Sequence, residues 1–130
     1  MRYLTLAEAL IIAEAVTGLE ATTLAGAARL ELLDSALHAP EAGLGEVEFY
    51  PDPIDKAAIL AVRIARNHPL PDGNKRLAWQ ALTMFLALNG WALKVPTDDA
   101  VSAVLSVAAG DMNEEALAAW LRERAERPEG

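Results

Sequence analysis

The sequence predicts an all-α fold: a compact bundle of about six helices with one small β-flap or loop near residues 43–52. Three observations carry that expectation. Apolar residues, mostly Ala, Leu, Ile and Val, recur at helical spacing through a chain of 130 residues that is 53% hydrophobic. Capping residues stand at the ends of the periodic runs. Strand-like alternation is confined to Val47 and Phe49, inside EAGLGEVEFYPDP, and to a brief WALKV. The length fits a single domain, residues 1–130, able to bury one core without metals or disulfides, with a frayed tail at about 127–130.

In chain order, Thr5 and Glu8 form a capping box ahead of an apolar run to Val16, and Thr17-Gly18 supplies the stop. A second helix is expected from about Ala27 to Leu37, ending before Pro40. Gly43, Gly45, Pro51 and Pro53 mark the flap. Asp52 followed by Pro53 reads as an N-cap with proline at the first helical position, opening a helix to about Asn67. Another covers Lys75 to Leu88, closed by Asn89-Gly90; it is apolar nearly all round and is expected to be the buried central helix. Thr97 caps a helix that stops at Gly110. Asp111 with Glu114 opens the last one, whose Arg122, Arg124 and Arg127 suit the negative end of a helix dipole.

One stretch breaks the apolar pattern: HPLPDGNKR, residues 68–76. His68 and Leu70 each precede a proline, which biases them toward extended dihedrals and predicts a rigid extended strap. Asp72-Gly73-Asn74 turns the chain into the next helix, with Asn74 as its N-cap. The free N–H groups of that helix's first turn then face the loop and form an anion site. Lys75 and Arg76 sit in the same turn, where the macrodipole disfavours cations and a bound anion would remove the conflict. The net charge of −8 argues against general nucleic-acid binding, yet Lys56, Arg63, Arg66, Lys75, Arg76 and Lys94 share residues 56–97 with a single acid, Asp72. A positive island in an acidic chain points to a small anionic ligand. Taken singly, PDGN is an ordinary turn, His68 a capped or packed histidine and Arg66 a solvated face. Together they make an inventory for phosphoryl transfer: a titratable base, a carboxylate able to hold Mg²⁺, amide donors and two cations.

HPLPDGNKR resembles the signature of the Fic/Doc family, His-x-Phe-x-Asp/Glu-Gly/Ala-Asn-Gly/Lys-Arg between two helices, and Lys75 marks its Doc, or death-on-curing, toxin branch. YLTLAEAL, LELLDSALHAP, DPIDKAAILAVRIARNHP and FLALNGW also resemble Doc-type sequences in order and spacing, over roughly residues 3 to 93. The resemblance implies ATP and Mg²⁺ as ligands, His68 as general base on a target hydroxyl, and Asp72 as the Mg²⁺ ligand. It implies that Gly73, Asn74, Lys75 and Arg76 bind the nucleotide phosphates, Lys75 and Arg76 serving catalysis as well, with Arg66 assisting. Lys75 replaces the glycine that nests the α-phosphate in adenylylating members. Doc-type members are known instead as kinases that bind ATP in a reversed sense and transfer its γ-phosphate to a threonine of elongation factor Tu, stopping translation. Leu70 departs from the family's Phe; pointing into the core, it bears on packing more than on chemistry. Gly73 in place of Ala is expected to be neutral.

Two other readings stand beside the kinase: an adenylyl transferase acting on a protein hydroxyl, against which Lys75 argues, and a non-enzymatic interaction module on a Fic scaffold, against which the intact His68, Asp72, Asn74 and Arg76 argue. Many Fic proteins restrain themselves with a Ser/Thr-x-x-x-Glu helix. None of the nine Ser and Thr residues here is followed four positions on by Glu. Restraint is therefore expected in trans, from a cognate Phd-like antitoxin whose acidic, apolar-faced segment folds into a groove lined by the first helix, the flap near Phe49 and Tyr50, and the helix ending at Asn67. The lack of an apolar run of ~18 residues, of a secretory signal and of cysteine points to a cytoplasmic protein with no membrane partner.

Overall fold

The computed structural model describes residues 1–27 and 29–128, which form seven α-helices: α1 (Leu6–Thr17), α2 (Ala21–Ala27), α3 (Leu30–His38), α4 (Pro53–Asn67), α5 (Asn74–Leu88), α6 (Thr97–Ala108) and α7 (Glu114–Arg122). A 3₁₀ turn, Ala39–Glu41, leads into the hairpin of β1 (Gly43–Leu44) and β2 (Val47–Glu48), while β3 (Ala92–Leu93) pairs antiparallel with β4 (Ala125–Glu126). The all-α class and the flap are as the sequence predicts. So are two helix starts. At α1 the Thr5 hydroxyl accepts from the Glu8 N–H and the Glu8 carboxylate accepts from the Thr5 N–H. At α4 the Asp52 carboxylate accepts from the Ile54 N–H at 2.7 Å, with Pro53 at the first helical position.

Helix α2 is the element the sequence does not announce. ATTLAGA holds two β-branched threonines and a glycine and has no amphipathic stripe, so propensity gives it nothing. Tertiary contacts make it: Leu24 is fully buried, and the Glu14 carboxylate of α1 accepts from the Ala21 N–H in its first turn. The second expected helix begins at Leu30 instead of about Ala27, residue 28 lying outside the described set. The last helix is shorter than expected. Asn113, not Asp111, caps it through the Ala116 N–H, and after Arg122 the chain turns into β4. Arg124 and Arg127 lie over the rings of Trp120 and Trp91, and the Arg124 guanidinium also donates to the Trp120 carbonyl at 2.9 Å, so Arg124 still serves the helix end as expected. Thr97 is the first helical residue of α6 and not its cap, since Pro96 takes the cap position. Of the tail expected to fray, residues 129 and 130 lie outside the described set.

The central helix is α4, not α5. It packs against α3, the 3₁₀ turn, α5, α6 and α7. Ala57, Ala58, Ala61 and Ala65 let these neighbours approach closely, and Ile54, Leu60, Val62 and Ile64 fill the space between. Helix α5 buries Leu77, Ala78, Ala81, Leu82, Phe85 and Leu86 but leaves Gln80, Met84 and Ala87 exposed. That exposed side matters, because the loop between α4 and α5 opens onto it. No described helix is long and apolar enough to cross a membrane.

Candidate active site

The loop 68–73 joins the C-terminus of α4 to the N-terminus of α5, and each of its ends is fixed by a specific bond. His68 closes α4 in a left-handed conformation, φ 52 and ψ 55, with its N–H donating to the Ile64 carbonyl at 3.2 Å. Among the described residues it is the one non-glycine with positive φ. The extended strap expected from the His-Pro dipeptide is thereby corrected at its first residue. Pro69 does disfavour the right-handed conformation, but the left-handed one avoids it as well and lets the helix end be capped. The strap is braced from α3: the Arg29 N–H donates to the Pro69 carbonyl at 2.8 Å, and the Asn67 side chain donates to the Leu32 carbonyl at 2.9 Å.

The second end is tied by Asn74. Its side chain is buried, accepting from the Leu70 N–H and donating to the Leu70 carbonyl, both at 2.9 Å. It folds the loop back onto itself, and Leu70 is driven into the core as expected. The N-cap position therefore belongs to Gly73, at φ 87, and Asn74 is the first residue of α5, which corrects the expectation that Asn74 caps the helix. Glycine suits this position for two reasons: the backbone is left-handed, and a Cβ would stand 3.0 Å from Cγ2 of Thr17 at the end of α1. Because Gly73 has no side chain, no side-chain cap engages the first-turn N–H groups of α5.

These groups open into a cavity of about 550 Å³. His68, Asp72, Gly73, Asn74, Lys75 and Arg76 line one side of it. All of these but Gly73 and Asn74 are exposed, so the polar side is a set of free side chains around a helix N-terminus. Arg76 is also drawn toward α1, its guanidinium donating to the Val16 carbonyl at 3.0 Å. Arg66 is exposed on the last turn of α4 and does not belong to the lining. Nor does the rest of the positive island: Lys56 is buried, while Arg63 and Lys94 are exposed elsewhere.

The opposite wall has no motif in the sequence to announce it. Val101, Val104 and Leu105 of α6 form it with Val95 and with Trp79 and Gln80 of α5. Trp79 is held edge-on to Trp120 at 6.1 Å. Part of this wall carries a sequence signal, since Trp79 and Gln80 lie three and four residues beyond Arg76 and so share its helix face. Val101 and Leu105 are 52% and 51% exposed, and they line the cavity, as a ligand-facing wall requires. The cavity thus joins an anion-binding end to an apolar end. As for a metal, no group of three or more His, Cys, Asp or Glu among the described residues is placed to hold an ion. The single carboxylate of Asp72 beside an anion site fits Mg²⁺ held jointly with ligand phosphates, the usual mode for that ion, and not a site built from protein alone.

A model of the Fic/DOC family matches residues 3–86, a span that contains α1 to α4, the loop and most of α5. Over 92 residues the chain is 44% identical to Toxin Doc of Mycolicibacterium smegmatis, a match covering 69% of this chain and 71% of that protein. The apolar wall contributed by α6 lies beyond the family match.

Proposed function

The chain belongs to the Fic/DOC family, and from that premise we propose that it is the toxin of a toxin–antitoxin pair, a kinase transferring the γ-phosphate of ATP to a threonine of elongation factor Tu. The observation that carries a phosphoryl-transfer reading is the uncapped N-terminus of α5, flanked by Lys75 and Arg76 and sharing its cavity with His68. In this reading His68 accepts the proton of the target hydroxyl as its oxygen bonds to the γ-phosphorus. The bond from that phosphorus to the β-bridging oxygen breaks, and ADP leaves. Lys75, Arg76 and the first-turn amides neutralise the charge that builds on the transferred group, Arg76 keeping donors free beyond the one given to the Val16 carbonyl. Asp72 would hold Mg²⁺, which when bound would help neutralise phosphate charge. Asn74, with one N–H and one lone pair committed to Leu70, supports phosphate binding chiefly by fixing the loop. The nucleobase rests on the apolar wall of Trp79, Val101 and Leu105.

The choice of γ over α transfer rests on Lys75, whose side chain stands where adenylylating relatives carry a bare glycine. Incubation with elongation factor Tu, Mg²⁺ and ATP labelled at either the α or the γ position tests it. Label arriving from γ alone supports the kinase. Label arriving from α sinks it in favour of adenylylation, and no label from either position removes this target. The same premise brings an antitoxin acting in trans. Glu46 on the flap and Glu41 on the turn before it are exposed, and the Glu48 charge is already paired with Lys56, so this face offers an acidic partner no free cation. An acidic segment finds its cations at Arg63 and Arg66 instead, exposed one turn apart on α4, and at Lys75 and Arg76. Growth arrest on expressing this chain alone, relieved by coexpressing the neighbouring open reading frame and absent in His68→Ala, is the expected result; harmless high-level expression of the wild-type chain alone in its native host would overturn the toxin assignment.

A further inference from the structure

Lys56 has no part in the reaction proposed above, yet among the described residues it is the one buried side chain that bears a full charge, at 1% exposure. A buried ammonium is costly unless it is hydrogen-bonded and paired, so the origin of its partners matters. Its Nζ donates to the Pro40 carbonyl at 2.8 Å and to the Glu48 carboxylate at 2.9 Å, and stands 5.4 Å from the centre of the Tyr3 ring. These partners belong to the 3₁₀ turn, to strand β2 and to the N-terminal segment. Glu48 is the only carboxylate among them, and it sits on a hairpin of two-residue strands. The hairpin has little else to hold it: Leu44, Val47 and Phe49 are 77%, 66% and 58% exposed, and an isolated two-stranded hairpin is marginal in water.

We propose that Lys56 is the anchor of the flap: fixed in the core by α4, its ammonium grips the hairpin through Glu48 and the entry to it through Pro40, holding the flap in one preorganised position. The two ends of the ion pair are unequal. Glu48 is 53% exposed and regains water on release, whereas Lys56 would be left in the core with a carbonyl and an aromatic ring. The cost of opening the flap therefore falls on the lysine. Burial alone pulls the Lys56 pKa down, but Glu48 and the Tyr3 side chain outweigh it and keep the group above its ordinary value, charged at any physiological pH. The anchor also stands apart from the cavity, because α4 separates Lys56 from His68 by ~18 Å of helix.

Hydrogen exchange on the full chain tests the anchor, read at the Phe49 N–H that donates to the Ala42 carbonyl at 3.0 Å. Glu48→Gln, which keeps a hydrogen-bond acceptor on the exposed side but removes the charge, should speed exchange there roughly two- to fivefold with at most a small fall in the melting temperature. Lys56→Met should speed it by about tenfold or more while amides of α5 keep their protection, because an apolar chain of similar length suits the core at least as well as an ammonium. Wild-type exchange at Phe49 in both variants overturns the anchor. So does a Lys56→Met protein in which every amide exchanges faster in proportion to lost stability, which would make Lys56 an ordinary core residue. Should Lys56→Met fail to fold, Glu48→Gln decides alone: faster flap exchange supports the anchor and a wild-type rate removes it.

Discussion

A left-handed backbone beneath a non-glycine side chain costs about 1–2 kcal/mol, and His68 carries it at φ 52. Such strain persists where the surroundings impose it, here the helix end, Pro69 and the Arg29 bond to the strap. Two substitutions separate the roles of the backbone and the imidazole. His68→Ala is expected to lose ~10²–10⁴-fold in transfer while binding nucleotide and melting nearly as wild type, since the side chain is exposed. His68→Gly should lose transfer equally and gain up to about 1 kcal/mol of stability, the backbone being relieved. A variant of either kind with wild-type turnover removes His68 as the base. The protein's other histidine makes a different prediction. The Asp34 carbonyl, accepting from the His38 ring at 2.9 Å in the last turn of α3, holds that imidazole above its usual pKa, and the Asp34 carboxylate adds to the effect. A raised folded-state pKa gives stability that is complete below the unfolded value of 6.5 and disappears as pH rises through the folded value. Stability should therefore fall slightly between pH 6 and pH 8, by no more than about 0.5 kcal/mol for so exposed a pair, and His38→Gln should flatten that slope in melting curves recorded across the range.

At the scale of the element, the loop is held by Asn74 more than by its prolines. Asn74→Ala leaves the Leu70 N–H and carbonyl buried without partners, a loss of about 2–3 kcal/mol, and should abolish phosphate binding by releasing the loop. If the variant melts as wild type but loses nucleotide, the amide serves the ligand directly and not the loop. Gly73→Ala, which the sequence presents as neutral, should cost about 1–2 kcal/mol at φ 87, and more where the new methyl meets Thr17. The contrast shows what a sequence can tell at this scale. Local chemistry was readable: the Thr5–Glu8 box, Asp52-Pro53 and the punctuation around the loop each act within a few residues, and the structure uses all three. What was not readable depends on distant neighbours. Helix α2 exists because Leu24 finds the core, and β4 because β3 lies ready to pair with it, across more than thirty residues of sequence. At Asn74 the local pattern is ambiguous, because a cap and a loop staple require the same residue type and only the fold tells them apart.

For the whole molecule, the consequence of the fold is that one cavity is shared between a segment with a family signature and a helix without one. The loop side could be read from HPLPDGNKR; the α6 side could not, because Val101, Val104 and Leu105 show only the helical spacing that any core-facing stripe shows. Their place on the cavity distinguishes them. Roughly half of the Val101 and Leu105 side chains stays open, and covering such area with a ligand contributes about 1–1.5 kcal/mol per residue at ~25 cal/mol per Å². Val101→Asp removes that contribution and sets a carboxylate near bound phosphates, so nucleotide affinity should fall by about tenfold or more. Inorganic phosphate, which needs only the α5 end, should lose far less. Stability should hardly change, because the site already faces water. Titrating ATP and inorganic phosphate against wild type and variant, with a melting curve on each, checks all three statements together. Unchanged ATP affinity in a folded Val101→Asp protein would show that the base lies elsewhere and that the apolar wall belongs to some other ligand. An equal loss for ATP and for phosphate would make the effect one of charge alone, and the wall would then have no part in recognising the nucleobase.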